Sequence, residues 1–177
     1  MDTITESPSR IILDAEQIQQ IIQRIAYEIY EYNFAVDQLI VAGIYDRGYE
    51  LARRISEALD KISPFKFEAK SLQLIKIQLE KFTDRQCEVQ LNHDLETLDG
   101  KNIILVDDVL NTGKTLAYSM RPFLERAIHQ MEIAVLVNRS HGKFPVVATY
   151  TGYELATTLE EHIEVILDGE NDAVYLK

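Results

Sequence analysis

Residues 107–115 carry the side chains best suited to chemistry in this chain. Asp107 and Asp108 stand side by side, and after Val109 and Leu110 comes the polar turn Asn111-Thr112-Gly113-Lys114-Thr115. Paired carboxylates accept hydrogen bonds from sugar hydroxyls, or hold a divalent cation through its water. A turn of small residues feeding a helix N-terminus offers backbone N–H groups and a favourable dipole to a phosphate. Both capacities in one short stretch suit a phosphorylated sugar.

These side chains need a rigid support. Ile103 to Val106 is an unbroken apolar run that reads as a strand buried on both faces, with the acids at its C-terminal end. A helix is expected from about Leu116 to about His129. Gly113-Lys114-Thr115 imitates the end of a nucleotide-binding P-loop, but that pattern needs glycine five residues before Gly113, where Asp108 stands. Acid pairs after a strand also occur in receiver domains, but near the N-terminus rather than past the middle of the chain. The acids are expected to face solvent.

A second anion-binding turn precedes this one. The apolar run Leu39 to Ala42 ends in Gly43-Ile44-Tyr45-Asp46-Arg47-Gly48, and a helix is expected from about Tyr49 to Lys61. Glycines flanking an arginine at a strand-to-helix turn allow close backbone approach to an anion.

IILVDDVLNTGKT resembles the thirteen-residue phosphoribosyl-pyrophosphate motif of the type I phosphoribosyltransferases. From about Ile18 onward the chain is similar to the PyrR-like pyrimidine regulators of that family, which are also uracil phosphoribosyltransferases. The resemblance implies transfer of ribose 5-phosphate from phosphoribosyl pyrophosphate to a nucleobase, uracil first, with magnesium as cofactor. It gives Asp107 and Asp108 the catalytic places, on the ribose hydroxyls and on the metal through water. It assigns substrate contacts to Arg47, Gly48, Val109, Leu110, Asn111, Thr112, Gly113, Lys114, Thr115, Asn138 and Arg139. Tyr153 to Thr158 correspond to the hood over the base, and a homodimer or higher homo-oligomer is implied.

The chain departs from that pattern in two places. PyrR-like members carry a turn close to G-I-K-T-R-G, whereas Tyr45 and Asp46 replace the lysine and threonine here. Fewer residues also separate Leu79 from Ile103, where the family's closing loop lies; Lys81 or Arg85 could take over its charge. These departures favour, as the alternative, a weakly active or inactive sensor of phosphoribosyl pyrophosphate or a nucleotide; RNA binding as in PyrR is a third function that the resemblance implies.

Composition narrows the field. A chain of 177 residues is long enough for one domain with a real core. Its formal charge of −11 disfavours RNA, unless a local basic face exists around Arg53, Arg54 and Lys61. Cys87 is the only cysteine, so no disulfide or thiolate metal site is expected. No apolar run approaches a membrane span and no signal-peptide pattern opens the chain, so a cytoplasmic location is expected.

The remaining elements follow from periodicity. Residues 1–13 should form a partly loose arm, with a short strand possible at Arg10 to Leu13. Asp14 caps a helix in a capping box with Gln17, and Ile18, Ile21, Ile22, Ile25 and Ile29 form its apolar stripe. Tyr27, Tyr30 and Tyr32 belong to the helix surface. Phe65 to Leu79 holds one long strand or two joined by a bend. Ile133 to Val137 and Val146 to Gly152 are further strands; Ile163 to Leu167 and Ala173 to Leu176 close the chain. Strands alternating with helices predict a doubly wound α/β fold with a mostly parallel sheet, flanking helices and a small hood.

Overall fold

The computed structural model of the protein describes residues 10–80, 87–139, 141–156 and 161–177. Strand β2 (Leu39–Ile44) is buried at all six positions. The later strands β5 (Asn102–Leu110) and β6 (Gln130–Asn138) are buried through their middles. Runs with apolar side chains on both faces are stable only inside a sheet covered on both sides. That is where they lie. β2 pairs in parallel with β3 (Leu72–Glu80) and β5, β5 with β6, and β6 with β7 (Tyr150–Glu154). β4 (Glu88–Leu91) adds an antiparallel edge to β3, giving the order β4-β3-β2-β5-β6-β7.

Alternation along the strands divides the core in two. On one face, Val41, Ile104 and Val106 pack under α1 (Ala15–Tyr32) and α2 (Arg47–Ile62) through Ile18, Ile22, Ile25, Leu51 and Ile55. On the other, Ile40, Ala42, Ile103, Leu105 and Val135 pack under α3 (Lys114–Ser119) and α4 (Arg121–Leu124) through Leu116 and Phe123. The capping box forms as expected: Gln17 N–H donates to Asp14 Oδ1 at 2.9 Å, and Asp14 N–H to Gln17 Oε1 at 3.0 Å.

A second, antiparallel sheet of order β1-β9-β8 joins the two ends of the described chain, from β1 (Arg10–Leu13), β8 (Ile163–Ile166) and β9 (Ala173–Leu176). An Arg54–Asp172 ion pair ties the turn between β8 and β9 to α2. Both side chains are partly buried there, 13% and 12% exposed. Asp172 is accordingly held below the usual carboxylate range, first by its bond from Arg54.

Several expected boundaries shift. The helix after Leu116 breaks at Met120, because Pro122 cannot donate a backbone hydrogen bond and starts a new turn instead. α2 begins at Arg47 rather than Tyr49, which shortens the preceding turn to Tyr45–Asp46. Between Phe65 and β3 the chain turns through Lys70, whose φ is +56°, so only the second half of that segment is strand. β7 starts at Tyr150 rather than Val146, and Tyr153 and Glu154 belong to it. The Val146 N–H turns back onto the Phe144 carbonyl at 2.8 Å, and pairing onto β6 begins only with the Thr149 N–H, which donates to the Ile133 carbonyl at 2.8 Å. Tyr30 packs edge-on to Phe65, while Tyr27 and Tyr32 are exposed as expected. Residues 1–9, Lys81, Arg85, Thr157 and Thr158 lie outside the described residues.

β2 and β5 are neighbours, yet they feed helices on opposite faces of the sheet. The chain leaves β2 through α2 toward β3, and leaves β5 through α3 and α4 toward β6. Diverging connections leave a crevice at the C-terminal ends of the two strands, the usual ligand position in such folds.

Candidate functional site

β5 stays beside β2 only as far as Val106, which pairs with Gly43. Beyond that point it runs along β6 alone, and a hollow of about 390 Å³ opens over its free edge. Arg47, Gly48, Asp107, Asp108, Val109 and Thr115 line it, together with the Tyr45–Asp46 turn. Residues drawn from both sequence motifs therefore share one wall-to-wall space.

The two acids are not equivalent, and this corrects the expectation that both face solvent. Asp107 is 7% exposed, whereas the Asp108 side chain is 18% exposed and lies 3.8 Å from Arg47 Nη1. Asp107 Oδ1 accepts the Asp108 N–H at 2.9 Å, and Asp108 Oδ1 accepts the Val109 N–H at the same distance. Burial pushes Asp107 well above the usual carboxylate range, and the neighbouring Asp108 charge pushes it the same way.

A folded-state pKa above the unfolded value costs stability as pH rises. Below about pH 3.9 both states hold the proton and nothing is lost; above it the unfolded chain releases the proton first. Asp107→Asn removes that loss and keeps an acceptor for the Asp108 N–H. The ligand-free variant is expected to melt roughly 2–4 °C above wild type near neutral pH, the shift that about 1 kcal/mol gives a chain of this size. The gap should close as pH falls through the carboxylate range. Scanning calorimetry from pH 4 to pH 8 checks it, and a gap that widens toward acid contradicts it.

Glycines set how closely the elements approach. A Cβ on Gly48 would lie 2.9 Å from both Asp107 Cα and the Val106 carbonyl oxygen. Only glycine lets the first turn of α2 rest on β5 beside the acids. The first N–H groups of a helix have no carbonyl partner within it, so this turn presents donors and a positive dipole end next to Arg47. Gly113 caps α3 in the left-handed region at φ +80°. Lys114 N–H donates to Thr112 Oγ1 at 3.3 Å, and the Lys143 and Phe144 bonds to the Thr112 carbonyl brace the same turn from outside.

Leu110 and Asn138 are register partners at the ends of β5 and β6. With Asn111, Gly142, Val146 and Val147 they line a second hollow of about 140 Å³. Thr112, Gly113 and Lys114 link the two hollows along the chain. Arg139 joins neither: it is 5% exposed, and its Nη2 donates to the Glu161 carbonyl at 2.7 Å. The fold brings ten of the eleven residues with substrate contacts assigned from the sequence, all except Arg139, into the two hollows or the turn between them.

One cation beside the site carried no sequence signal. Lys76 on β3 places its Nζ 4.0 Å from the centroid of the Tyr45 ring. Only sheet pairing, across more than thirty residues, brings them together. The suspected basic face is neutralised: Arg53 bonds to Glu50 and Glu57, and Arg54 to Glu50 and Asp172. Among the described residues no cluster of three metal-ligating side chains occurs, and no helix is long and apolar enough to cross a membrane.

The chain is similar to known proteins in sequence and in fold. Residues 9–168 match the family model described as the phosphoribosyl transferase domain. The chain is 32% identical over 174 residues to the bifunctional protein PyrR of Actinobacillus pleuropneumoniae serotype 5b, covering 95% of this chain and 97% of that one. It is 35% identical over 162 residues to the bifunctional protein PyrR of Clostridium kluyveri, covering 88% of each. In fold it is similar to the hypoxanthine phosphoribosyltransferase of Trypanosoma cruzi, with a TM-score of 0.75, 17% identity and 94% of each chain covered.

Proposed function

The chain belongs to the phosphoribosyl transferase domain family, and we propose that it transfers ribose 5-phosphate from phosphoribosyl pyrophosphate to a nucleobase, uracil first, releasing pyrophosphate. The observation that carries this reading is the shared hollow between β2 and β5. There the paired acids, Thr115 in the first turn of α3 and the first turn of α2 surround one space. Asp107 and Asp108 accept hydrogen bonds from the ribose hydroxyls. Residues Asn111 to Thr115 hold the 5′-phosphate. Arg47 and the N-terminus of α2 face the pyrophosphate.

As the bond to pyrophosphate breaks, positive charge builds on the ribose carbon and the base nitrogen attacks it. The neighbouring carboxylates stabilise that charge, so catalysis is positioning plus electrostatics, with no protein nucleophile. The Asn138 amide offers a donor and an acceptor to a base edge from the second hollow.

Magnesium fits this donor set. It is commonly held by one or two carboxylates together with substrate phosphates and water. The partly exposed Asp108 and its buried neighbour meet that description better than they would a cage built from protein alone. When bound, the ion supplies charge neutralisation to the departing pyrophosphate.

Exposed Tyr27, Tyr32 and Phe34 on and just after α1 support a homodimer or larger assembly. One domain in the cytoplasm fits the composition. RNA binding is not favoured, since Arg53 and Arg54 are ion-paired with Glu50, Glu57 and Asp172.

A second reading, a sensor with little turnover, rests on Asp46 in the turn that faces the pyrophosphate. One assay separates them. The protein is incubated with phosphoribosyl pyrophosphate, magnesium and, in turn, uracil, hypoxanthine, guanine and adenine, and pyrophosphate release is followed. Release with uracil above the other bases is expected. Calorimetric binding of the sugar donor with no release for any base would establish the sensor instead.

A further inference from the structure

We infer that Lys76, clasped by the rings of Tyr45 and Tyr49, is the strand-borne cation that binds the pyrophosphate half of the sugar donor. The inference rests on the reading above and deepens it. The turn between β2 and α2 brings no net charge to a polyanion, because Asp46 offsets Arg47. Arg47 is itself drawn toward Asp108, 3.8 Å away. A diphosphate seated on that turn therefore gains from a further protein cation within reach, in addition to the metal proposed above.

Lys76 is placed to be that cation. It is the register partner of Gly43, so its side chain leaves the sheet on the α2 face beside the one position of β2 that has no side chain. It runs past Tyr49, whose ring centroid is 5.7 Å from Nζ, and ends 4.0 Å from the Tyr45 ring. Tyr45 in turn lines the hollow that holds Arg47 and the two acids, and is 51% exposed. Among the described residues no carboxylate pairs with Lys76. An aromatic face attracts an ammonium without neutralising it, so the charge stays available to an incoming anion. Two rings also restrict a flexible four-carbon stem before the ligand arrives, which lowers the ordering cost of binding.

The test is calorimetric binding of three ligands, inorganic pyrophosphate, phosphoribosyl pyrophosphate and ribose 5-phosphate, to wild type, Lys76→Met and Lys76→Arg. Lys76→Met should weaken pyrophosphate and phosphoribosyl pyrophosphate by roughly tenfold, the loss of one charge-assisted hydrogen bond. Ribose 5-phosphate should bind the variant as it binds wild type, and Lys76→Arg should keep most of the pyrophosphate affinity. If Lys76→Met binds pyrophosphate like wild type, or loses ribose 5-phosphate equally, the inference fails while the site reading stands. If wild type binds neither ribose 5-phosphate nor pyrophosphate, both fail.

Discussion

Asp107→Asn combined with Asp108→Asn is expected to weaken phosphoribosyl pyrophosphate binding at least ~100-fold while the protein stays folded. Each carboxylate would lose a charge-assisted hydrogen bond worth about 1.5–3 kcal/mol. Two such losses correspond to two or more powers of ten in affinity. The fold should survive for a specific reason. The two carboxylates accept backbone N–H groups of Asp108 and Val109, and an amide oxygen can accept both. The burial of a like-charged pair, which raises Asp107, disappears at the same time. Calorimetry with the sugar donor and magnesium measures the first effect, and a thermal melt measures the second. A double variant that binds the donor as wild type does would show that these acids are not the ribose grip.

Gly48→Val should abolish activity by a different route, through backbone displacement. Its Cβ would meet Asp107 Cα and the Val106 carbonyl at 2.9 Å, and Asp107 Oδ1 at 3.0 Å. Two of those contacts are backbone, so no rotamer change relieves them. α2 must lift from β5, which costs about 1–3 kcal/mol by comparison with overpacked cores. The same lift separates Arg47 and the helix N-terminus from the acids, so transfer should fall below detection even at temperatures where the variant is folded. Gly100→Ala is the control. Gly100 also has a constrained backbone, at φ +73°, but a Cβ there meets nothing within 4 Å. It should lose roughly 1 kcal/mol of stability and no activity. Circular dichroism melts and pyrophosphate release, run side by side, compare the two. Full activity in Gly48→Val would remove the close approach from the account of the site.

How much of this was legible beforehand depended on the range of the interaction. The capping box at Asp14 and Gln17, the isoleucine stripe of α1 and the buried runs of β2, β5 and β6 all arise from neighbours within a turn or a pleat. Each was written in the local pattern. The break at Met120 was legible in principle, since Pro122 sits in plain view. Edge strand β4 was not expected, because its alternation is short and its apolar face depends on β3.

The sequence by itself determined the fold class, the order of elements, and which two turns would meet at the C-terminal ends of the parallel strands. Those follow from apolar periodicity, and from glycine and threonine at turns, which act over a few residues. Only the tertiary structure decided the electrical state of the site. It buried Asp107 but left Asp108 partly open, withdrew Arg139 onto the Glu161 carbonyl, cancelled Arg54 against Asp172, and set Lys76 over Tyr45. Charges respond to desolvation and to partners tens of residues away, and no local pattern encodes either.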